Sequence, residues 1–289
     1  MSYVAPITAV GGEPWGLAAE LTPADFAGVA AIMQADARIH LAESKATLVH
    51  SRLARRLRAH GLNRFADYLA LVARDGAERA VLVEALTTNH THFFREQHHF
   101  DHLESVALLM LREKAGREPV RIWSAGGSSG EEAYTIAMCL AGRDPGWTQD
   151  GKLLLLATDL SPAMVVAAAA GRYPASAARQ IPASYRTRWT RTSAEGVEIA
   201  PELRALVTTR VLNLFGAWPM RRQFDAIFCR NVMIYFDKAA QAELEARLVD
   251  QLLPGGFLYI GHSERLVGPA RAQMEPCGQT IYRKHGRAE

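Results

Sequence analysis

The sequence predicts an α/β protein in two parts, an all-helical N-terminal domain followed by a larger domain built on a parallel β-sheet. The first part shows apolar residues at helical spacing and no strand pattern. The second part alternates short apolar segments with helical ones, which is typical of a parallel sheet covered by helices on both faces. We place the domains at residues 21–86 and 87–289, after a flexible lead-in over residues 1–20.

The composition is that of an ordinary globular protein. Its 289 residues are 49% hydrophobic and 22% charged, enough for two buried cores. The net charge of +3 is too small to favour nucleic-acid binding. The three cysteines are widely spaced and form no CxxC pair, so neither disulfides nor a zinc knuckle is predicted. No apolar run reaches the ~18 residues of a membrane span and no secretory signal is evident, so we expect a cytoplasmic protein.

The first predicted N-terminal helix begins at Pro23, which suits a first turn. A second helix is predicted over residues 43–60, and Gly61 is placed to end it. Asn63 is placed to cap a third helix. The second helix carries basic residues along one stripe, and residues 44–62 include no acidic residue. A solvated face is the ordinary interpretation, but such a stripe would also suit an acidic partner. The candidate partner-binding residues are Lys45, Arg52, Arg55 and Arg56.

The predicted sheet rests on short apolar, β-branched segments separated by helical ones. Helices are predicted over residues 131–140, from Pro162, and from about Asp237 to the stop at residues 254–256. The predicted strands are residues 120–124, 153–157, 224–229 and 257–260, with a last one at 280–283.

Residues 185–211 do not fit this alternation. Short alternating stretches near 188–191, 197–199 and 206–211 predict a small antiparallel insert. An irregular loop with one helical turn at 201–206 is the alternative interpretation.

Polar residues follow the predicted strands where ligands of open parallel sheets bind, beyond the carboxyl ends. The glycine-rich residues 125–130 follow the first strand, Asp159 follows the second, and Arg230 with Asn231 follows the third. A glycine loop lets a ligand approach the backbone, and an acid at this position can accept hydrogen bonds from ribose hydroxyls. These features predict a nucleoside site, although close helix–strand packing would also account for the glycines.

The spacing around this loop argues against a phosphate-rich ligand. The loop is not GxGxxG, and no lysine follows it as in a P-loop. Asp159 lies 29 residues beyond Gly130, against the ~20 of a dinucleotide fingerprint. Glu131 and Glu132 begin the next helix, where capping accounts for one carboxylate and a cationic ligand group would suit the other. We therefore predict S-adenosylmethionine, whose tail and sulfonium are cationic.

Residues 87–95 place two adjacent phenylalanines among polar side chains. Phe93 and Phe94 supply buried mass, whereas Asn89, Thr91 and Arg95 are polar. This mixture predicts the wall of a pocket. The alternative is the start of an amphipathic helix capped by Asn89 or Thr91.

Three motifs in order carry a family resemblance. Residues 87–96 read TTNHTHFFRE, residues 121–134 read RIWSAGGSSGEEAY, and residues 224–237 read FDAIFCRNVMIYFD. Together with Gly-His-Ser-Glu at 261–264, they resemble the chemotaxis-receptor glutamate methyltransferases, the CheR family. The resemblance implies an all-α N-terminal domain and a class I S-adenosylmethionine-dependent methyltransferase domain, Rossmann-like with a small β insert. It also implies methyl transfer to glutamates in the cytoplasmic helical region of methyl-accepting receptors.

The resemblance also implies roles for individual residues. Glu132 would bind the methionine amino end and Asp159 the ribose, while Asn213 and Leu214 would edge the adenine. Arg95 and Tyr235 match the positions that flank the transferring methyl and are the candidate catalytic residues. The insert matches a β-subdomain that docks a receptor peptide in some members, but its first turn is shorter here. The residues implied to line the cofactor site are Asn89, Thr91, Arg95, Glu132, Asp159, Asn213, Leu214, Arg230 and Asn231.

Other chemistries fit the sequence less well. A glutamate carboxylate has an ordinary pKa of about 4.3 and is ionised at neutral pH, so its methylation needs no general base. Cys229 could be a nucleophile, but a buried small hydrophobe is the better interpretation. His98 and His102 have the spacing of a metal pair, yet nothing completes a ligand set, so we predict no metal and interpret the histidines near 90–102 as solvated helix positions.

Two other functions stay open from the residues alone. One is an S-adenosylmethionine-dependent methyltransferase of another substrate class, and the other is a catalytically silent adaptor that binds the cofactor. We expect a monomer that neither binds nucleic acid nor inserts into a membrane.

Overall fold

The computed structural model describes residues 20–193 and 196–286, so nearly all of the predicted lead-in lies outside the described residues. The chain divides into two compact units. Within the described residues, unit 1 consists of residues 20–36 and 41–86, and unit 2 of residues 37–40 and 87 onwards. None of the described helices is both long enough and apolar enough to cross a membrane.

Unit 1 is helical, as predicted. Val49, Leu53 and Leu57 are buried at helical spacing along one face of its second helix. The prediction that Asn63 caps the third helix is wrong, because that helix begins at the buried Phe65 and Arg64 occupies the capping position without a side-chain bond. The helices are α1 (Pro23–Ala37), α2 (Ala46–Ala59), α3 (Phe65–Arg74) and α4 (Gly76–Leu86), with a 3-10 turn at Glu43–Lys45 before α2.

A buried carboxylate on α4 neutralises part of the basic stripe on α2. Glu78, with a side chain 5% exposed, accepts hydrogen bonds from Arg56 Nε at 2.9 Å and from the Tyr68 hydroxyl at 2.7 Å. His60 Nε2 lies 3.0 Å from the same carboxylate. Although residues 44–62 contain no acidic residue, Arg56 of the stripe is therefore neutralised, because its partner comes from another helix.

The other basic residues of the stripe differ in exposure. Arg52 Nη1 donates to the carbonyl of Ala85 at 3.3 Å, so this side chain also reaches towards α4. Lys45 and Arg55 are exposed. Only part of the predicted stripe therefore faces solvent.

Unit 2 contains the predicted alternation of strands and helices. Its first helical stretch is continuous, from α5 (His98–His102) through a π-helical segment (Leu103–Ala107) to α6 (Leu108–Ala115). The remaining helices are α7 (Glu131–Ala141), α8 (Pro162–Ala170), α9 (Ala175–Ala178), α10 (Ala183–Trp189), α11 (Pro201–Arg204) and α12 (Lys238–Asp250), with 3-10 turns at Gly146–Thr148, Met233–Tyr235 and Pro269–Gln273. The strands are β1 (Val120–Ala125), β2 (Leu153–Asp159), β3 (Arg172–Tyr173), β4 (Thr190–Ser193), β5 (Gly196–Ile199), β6 (Val207–Val211), β7 (Phe224–Cys229), β8 (Leu252–Ile260), β9 (Met274–Gly278) and β10 (Ile281–Lys284).

Seven of the described strands form one sheet in the order β6-β2-β1-β7-β8-β10-β9. The first five run parallel, and β10 pairs antiparallel with both β8 and β9. Ser124 of β1 pairs with Ala157 of β2 on one side and with Phe228 of β7 on the other. This confirms the predicted α/β fold and sets the carboxyl ends of β1, β2 and β7 side by side.

The predicted antiparallel insert over residues 185–211 is wrong in extent. The small sheet has the order β3-β5-β4, so it starts earlier, at Arg172. β6, which we assigned to the insert, instead pairs parallel with β2, from Leu155 opposite Val207 to Asp159 opposite Val211. An edge strand alternates in exposure whichever neighbour it has, so the pattern indicates a strand but not its partner.

The strands near the C-terminus also differ from prediction. β8 begins at Leu252, so the proline and glycines at 254–256 lie inside a strand rather than at a helix stop. The β7–β8 register shifts between Phe224 and Ala226, which gives this irregular stretch room. β9 was not predicted, because Glu275 and Pro276 disguise an edge strand.

Replacing Glu78 with glutamine should remove an acid-sensitive part of the stability. Hydrogen bonds from Arg56, joined by those from Tyr68 and His60, outweigh burial and lower the pKa of Glu78 from 4.5 to about 2. A depressed carboxyl pKa stabilises the fold above pH ~4.5 and loses this contribution as pH falls towards ~2. In urea unfolding followed by circular dichroism, we expect Glu78→Gln to cost about 2 kcal/mol at pH 7, with the difference from wild type shrinking below pH ~4.5.

The control is Asp144→Asn, which removes an exposed ion pair with Arg112 and should change little. If the difference between Glu78→Gln and wild type were the same at pH 7 and at pH 3, the stabilising role of the ionised Glu78 would be excluded.

Candidate functional site

Arg230 stands at the centre of a polar cluster where β7 ends. It is 6% exposed, and its Nη1 lies 3.0 Å from Glu132 Oε2 at the start of α7. Its Nη2 lies 3.2 Å from Glu96 Oε2 and donates to the backbone carbonyl of Arg95. Its guanidinium also sits 5.3 Å from the ring centre of Phe100. Arg230 therefore joins three parts of the chain that are far apart in sequence.

Two carboxylates meet this single guanidinium. Glu132 Oε1 accepts a hydrogen bond from the Ser124 hydroxyl at 2.7 Å, at the end of β1. Burial would raise the pKa of Glu96, but the charge of Arg230 and hydrogen bonds from His262 and Asn231 outweigh it and lower that pKa to about 2. With two acids to one base, the cluster suits a cationic ligand group.

Asp159 and the glycine loop lie at the ends of β2 and β1. The buried Asp159 carboxylate accepts backbone N–H bonds from Ser128 and Ser161, each at 2.9 Å. Gly126 has a φ of +75°, and a Cβ there would lie 2.5 Å from a methyl of Val232 in the loop after β7. The loop after β1 therefore needs glycine where it passes the loop after β7.

The residues predicted to edge the adenine lie in the loop after β6. Leu212 N donates to the Asp159 carbonyl at 2.9 Å, which places this loop beside the end of β2. The side chain of Asn213 accepts from Phe215 N at 2.9 Å. Arg247 on α12 donates to the carbonyl of Leu214 at 2.7 Å and to that of Gly216 at 2.5 Å. The loop is thus fixed at both ends, and Arg247 is a contributor that the sequence analysis missed.

Residues 87–96 form a non-helical wall along this site. No helix begins until His98, so the alternative in which Asn89 or Thr91 caps a helix is wrong. Phe93 meets the ring of Tyr173 edge-on at 4.9 Å between centroids. The carbonyl of Asn89 accepts a hydrogen bond from the Ser128 hydroxyl at 3.0 Å, which attaches the wall to the glycine loop.

Arg95 and Tyr235 bond to the same short piece of this wall. Arg95 Nη1 donates to the carbonyl of His90 at 2.8 Å. The Tyr235 hydroxyl donates to the carbonyl of Thr88 at 3.3 Å. The structure thus brings the two candidate catalytic side chains to neighbouring backbone positions, although 140 residues separate them in sequence.

The loop after β8 adds residues that the sequence analysis did not assign. The buried Glu264 accepts backbone N–H bonds from Gly261, Asn231 and Ile234, and burial raises its pKa. It ties the loop after β7 to the loop after β8. The available signal was the run Gly-His-Ser-Glu directly after a predicted strand, where an acid can serve backbone donors.

The interpretation of the histidines as solvated is wrong for His99, and His102 is only partly exposed. His99 is fully buried with Nε2 3.0 Å from the Thr280 hydroxyl, and burial lowers its pKa to about 3. His102 Nδ1 lies 3.0 Å from the Tyr259 hydroxyl. Within residues 20–193 and 196–286, no group of three His, Cys, Asp or Glu could hold a metal ion. Cys229 is buried and burial raises the pKa of its thiol, which confirms that it is a small hydrophobe.

Two models of one protein family match this chain. Residues 89–283 match the family described as CheR methyltransferase, SAM binding domain, and residues 24–87 match CheR methyltransferase, all-alpha domain. The chain belongs to the CheR methyltransferase family. It is accordingly an S-adenosylmethionine-dependent methyltransferase, which confirms the enzyme class and the cofactor predicted from the sequence.

Curated CheR relatives match nearly full length. A probable chemotaxis protein methyltransferase of Rhizobium etli is 41% identical over 87% of this chain and 96% of its own. Chemotaxis protein methyltransferase 2 of Pseudomonas aeruginosa is 43% identical over 84% of this chain and 87% of its own. The chemotaxis protein methyltransferase of Escherichia coli is 38% identical over 91% of each chain.

The residues of the CheR site fit S-adenosylmethionine. Two carboxylates outnumber the one buried guanidinium beside them, which suits a cationic tail and sulfonium. Asp159 stands at the end of the strand next to the glycine loop, where an acid can accept hydrogen bonds from ribose hydroxyls. No lysine or arginine follows the glycines at the start of α7, so the loop is not built for phosphate.

Removing the Asp159 carboxylate should weaken cofactor binding. We expect Asp159→Ala to raise the Kd for S-adenosylhomocysteine by about 10- to 100-fold, because hydrogen bonds to a charged group contribute about 1.5–3 kcal/mol. Isothermal titration calorimetry measures this directly. Asp144→Ala, which removes an exposed acid, is the control and should bind as wild type does. Equal Kd values for Asp159→Ala and wild type would remove Asp159 from the binding site.

Proposed function

We propose that this protein transfers methyl groups from S-adenosylmethionine to glutamate side chains in the cytoplasmic helical region of methyl-accepting chemotaxis receptors, acting as a monomer in the cytoplasm. Family membership and relatives named chemotaxis protein methyltransferases support the substrate class. The observation that carries the reaction is the placement of Arg95 and Tyr235 at one piece of the wall, where a cation and a hydroxyl can receive a carboxylate.

In this proposal the cofactor lies along the carboxyl ends of β1, β2, β6 and β7. Glu132 binds the amino group of its methionine part, Asp159 binds the ribose, and Asn213 and Leu214 flank the adenine. When bound, S-adenosylmethionine supplies an electrophilic methyl group. The remaining residues that line the site are Asn89, Thr91, Arg95, Arg230 and Asn231.

The substrate carboxylate needs orientation rather than activation. It is ionised at neutral pH, so the site requires no general base. Arg95 attracts the carboxylate by charge. The Tyr235 hydroxyl has one proton, so it would turn from the carbonyl of Thr88 to donate a hydrogen bond to the substrate. Orientation of two reacting groups can supply roughly 7 to 11 kcal/mol of a barrier.

The reaction also limits how tightly Arg95 can hold its substrate. Charge disappears as the methyl group transfers, because an anion and a sulfonium both become neutral. A strong clamp on the ionised ground state would therefore slow the step. Arg95 shares its donors with the carbonyl of His90, which fixes the guanidinium at the wall while leaving other N–H groups for the substrate.

Receptor docking belongs to the exposed part of the basic stripe in this proposal. Of the four candidates, Lys45 and Arg55 face solvent and suit an acidic helix. Arg56 bonds to the buried Glu78, and Arg52 bonds to the carbonyl of Ala85 near the end of α4. These two arginines therefore hold α2 against α4, and α2 and the turn before it present Lys45 and Arg55 to the receptor.

The proposed function is tested with receptor-containing membranes and S-adenosylmethionine carrying a radiolabelled methyl group. Glutamate methyl esters release volatile methanol in alkali, whereas N-methyl products do not. We expect alkali-labile label on the receptor. Label that survives alkali, or no label on the receptor at all, would contradict glutamate esterification.

Loss of the Arg95 side chain should depress turnover more than folding. In the same assay we expect Arg95→Ala to lower kcat by about 100-fold, the order seen when one preorganised donor is removed, while the unfolding temperature changes little. Tyr235→Phe, which removes only the hydroxyl, should cost less. Arg143→Ala, at an exposed arginine, is the control. Wild-type turnover in Arg95→Ala would exclude Arg95 from the mechanism.

Charge reversal on the exposed stripe should weaken receptor recognition alone. We expect the Lys45→Glu and Arg55→Glu double variant to raise the KM for receptor by about tenfold at low salt, with a smaller effect at high salt because exposed charges are screened. The KM for S-adenosylmethionine should not change. Arg143→Glu has one charge reversed elsewhere on the surface and serves as control. An unchanged receptor KM would place docking on another surface.

A further inference from the structure

Glu96 is a largely buried carboxylate to which the proposed mechanism assigns no role. Its side chain is 10% exposed and it directly follows Arg95 in the wall. Its φ is +58°, in the left-handed region that residues other than glycine rarely adopt. A strained backbone that persists beside a catalytic residue indicates that surrounding contacts hold it there.

Contacts from three separate elements converge on this carboxylate. Glu96 Oε1 accepts a hydrogen bond from Asn231 Nδ2 at 3.2 Å and lies 2.8 Å from His262 Nδ1. Glu96 Oε2 lies 3.2 Å from Arg230 Nη2 and 3.5 Å from His99 Nδ1. The loops after β7 and β8 and the start of α5 therefore share one anchor in the wall.

Arg230 transmits the effect of Glu96 to the rest of the site. The same guanidinium bonds to Glu132 and to the carbonyl of Arg95. Without the charge of Glu96, Arg230 would keep one carboxylate instead of two, and the cluster would lose the negative charge that favours a cationic ligand. Asn231, which also has a left-handed φ of +58°, would lose a partner for its side chain.

We propose that Glu96 is a positioning residue of the methyl-transfer site, which fixes Arg230 and Asn231 at the end of β7 and so sets the affinity for the cofactor. This inference rests on the proposed roles of Arg230, Asn231 and Glu132. Glu96 acts through these residues and through the charge of the cluster.

A purely structural role is the competing explanation, and the chain offers a matched control for it. Glu245 on α12 is another buried carboxylate, and it accepts backbone N–H bonds from Val267 and Gly268. Its hydrogen-bond partners within the described residues, Val267 and Gly268, belong to a different loop from Arg230, Asn231 and Glu132. Glu245→Gln should therefore lower the unfolding temperature without changing cofactor affinity.

The test is calorimetric titration of S-adenosylhomocysteine into wild type, Glu96→Gln and Glu245→Gln. We expect Glu96→Gln to bind about 10- to 100-fold more weakly, as for the loss of charge-assisted hydrogen bonds, and Glu245→Gln to bind as wild type does. Wild-type affinity in Glu96→Gln, or equal weakening in both variants, overturns the inference. Failure of wild type to bind would instead contradict the proposed function.

A double-mutant cycle tests the route through Arg230. Because Glu96 and Glu132 act on the same guanidinium, the losses of affinity in Glu96→Gln and Glu132→Gln should not multiply in the double variant. Independent, multiplying losses would exclude Arg230 as the link.

If Glu96→Gln does not fold, His262→Ala keeps the question answerable. His262 is 60% exposed, so its truncation should spare the fold while removing one partner of Glu96. We expect an approximately threefold or greater loss of affinity for S-adenosylhomocysteine, and wild-type affinity would overturn the inference.

Discussion

The guanidinium of Arg230, buried and shared between Glu96 and Glu132, holds together parts of the chain that the fold alone does not join. Removing one partner from a buried ion pair typically costs about 3–5 kcal/mol, because the remaining charge is left without compensation. The cluster is therefore constrained as a unit. These three charges tie the wall that carries Arg95 to the first turn of α7 and to the end of β7, in addition to the bond between Ser128 and Asn89.

The sheet supplies the other constraint, because it decides which strand ends meet. β1 lies between β2 and β7. The chain builds β2 and β6 on one side of β1, and then crosses to build β7 and β8 on the other side. Loops leaving the carboxyl ends diverge at such a point and leave a crevice that ligands can enter. Gly126 lets the loop after β1 pass against Val232. The acids and amides that close the crevice come from loops. The positions of these side chains depend on hydrogen bonds that fix the loops, such as the bond from Arg247 to the carbonyl of Leu214.

The sequence predicted what local patterns and general rules determine. Apolar segments located β1, β2 and β7, and the rule for parallel sheets placed Asp159 and Arg230 at one edge. Local patterns could not identify which elements or side chains pair with one another. β6 alternates like an antiparallel strand yet pairs parallel with β2. Arg56 has no acid nearby in sequence yet forms an ion pair with Glu78 on another helix. Glu96 received no role from the sequence, since Arg230, Asn231 and His262, which hold its carboxylate, lie more than 130 positions away.

The burial of polar side chains also could not be predicted from the sequence. His99 and His102 read as exposed helix positions because neither apolar spacing nor a partner marks them, but their helix packs against Thr280 and Tyr259. We propose that the wall and the strand ends enclose one cofactor, with its sulfur at Arg95 and Tyr235. A crystal structure with S-adenosylhomocysteine tests this most directly. We expect the ribose at Asp159 and the sulfur facing both side chains; a sulfur turned away from them, or a ligand bound elsewhere, would contradict this placement.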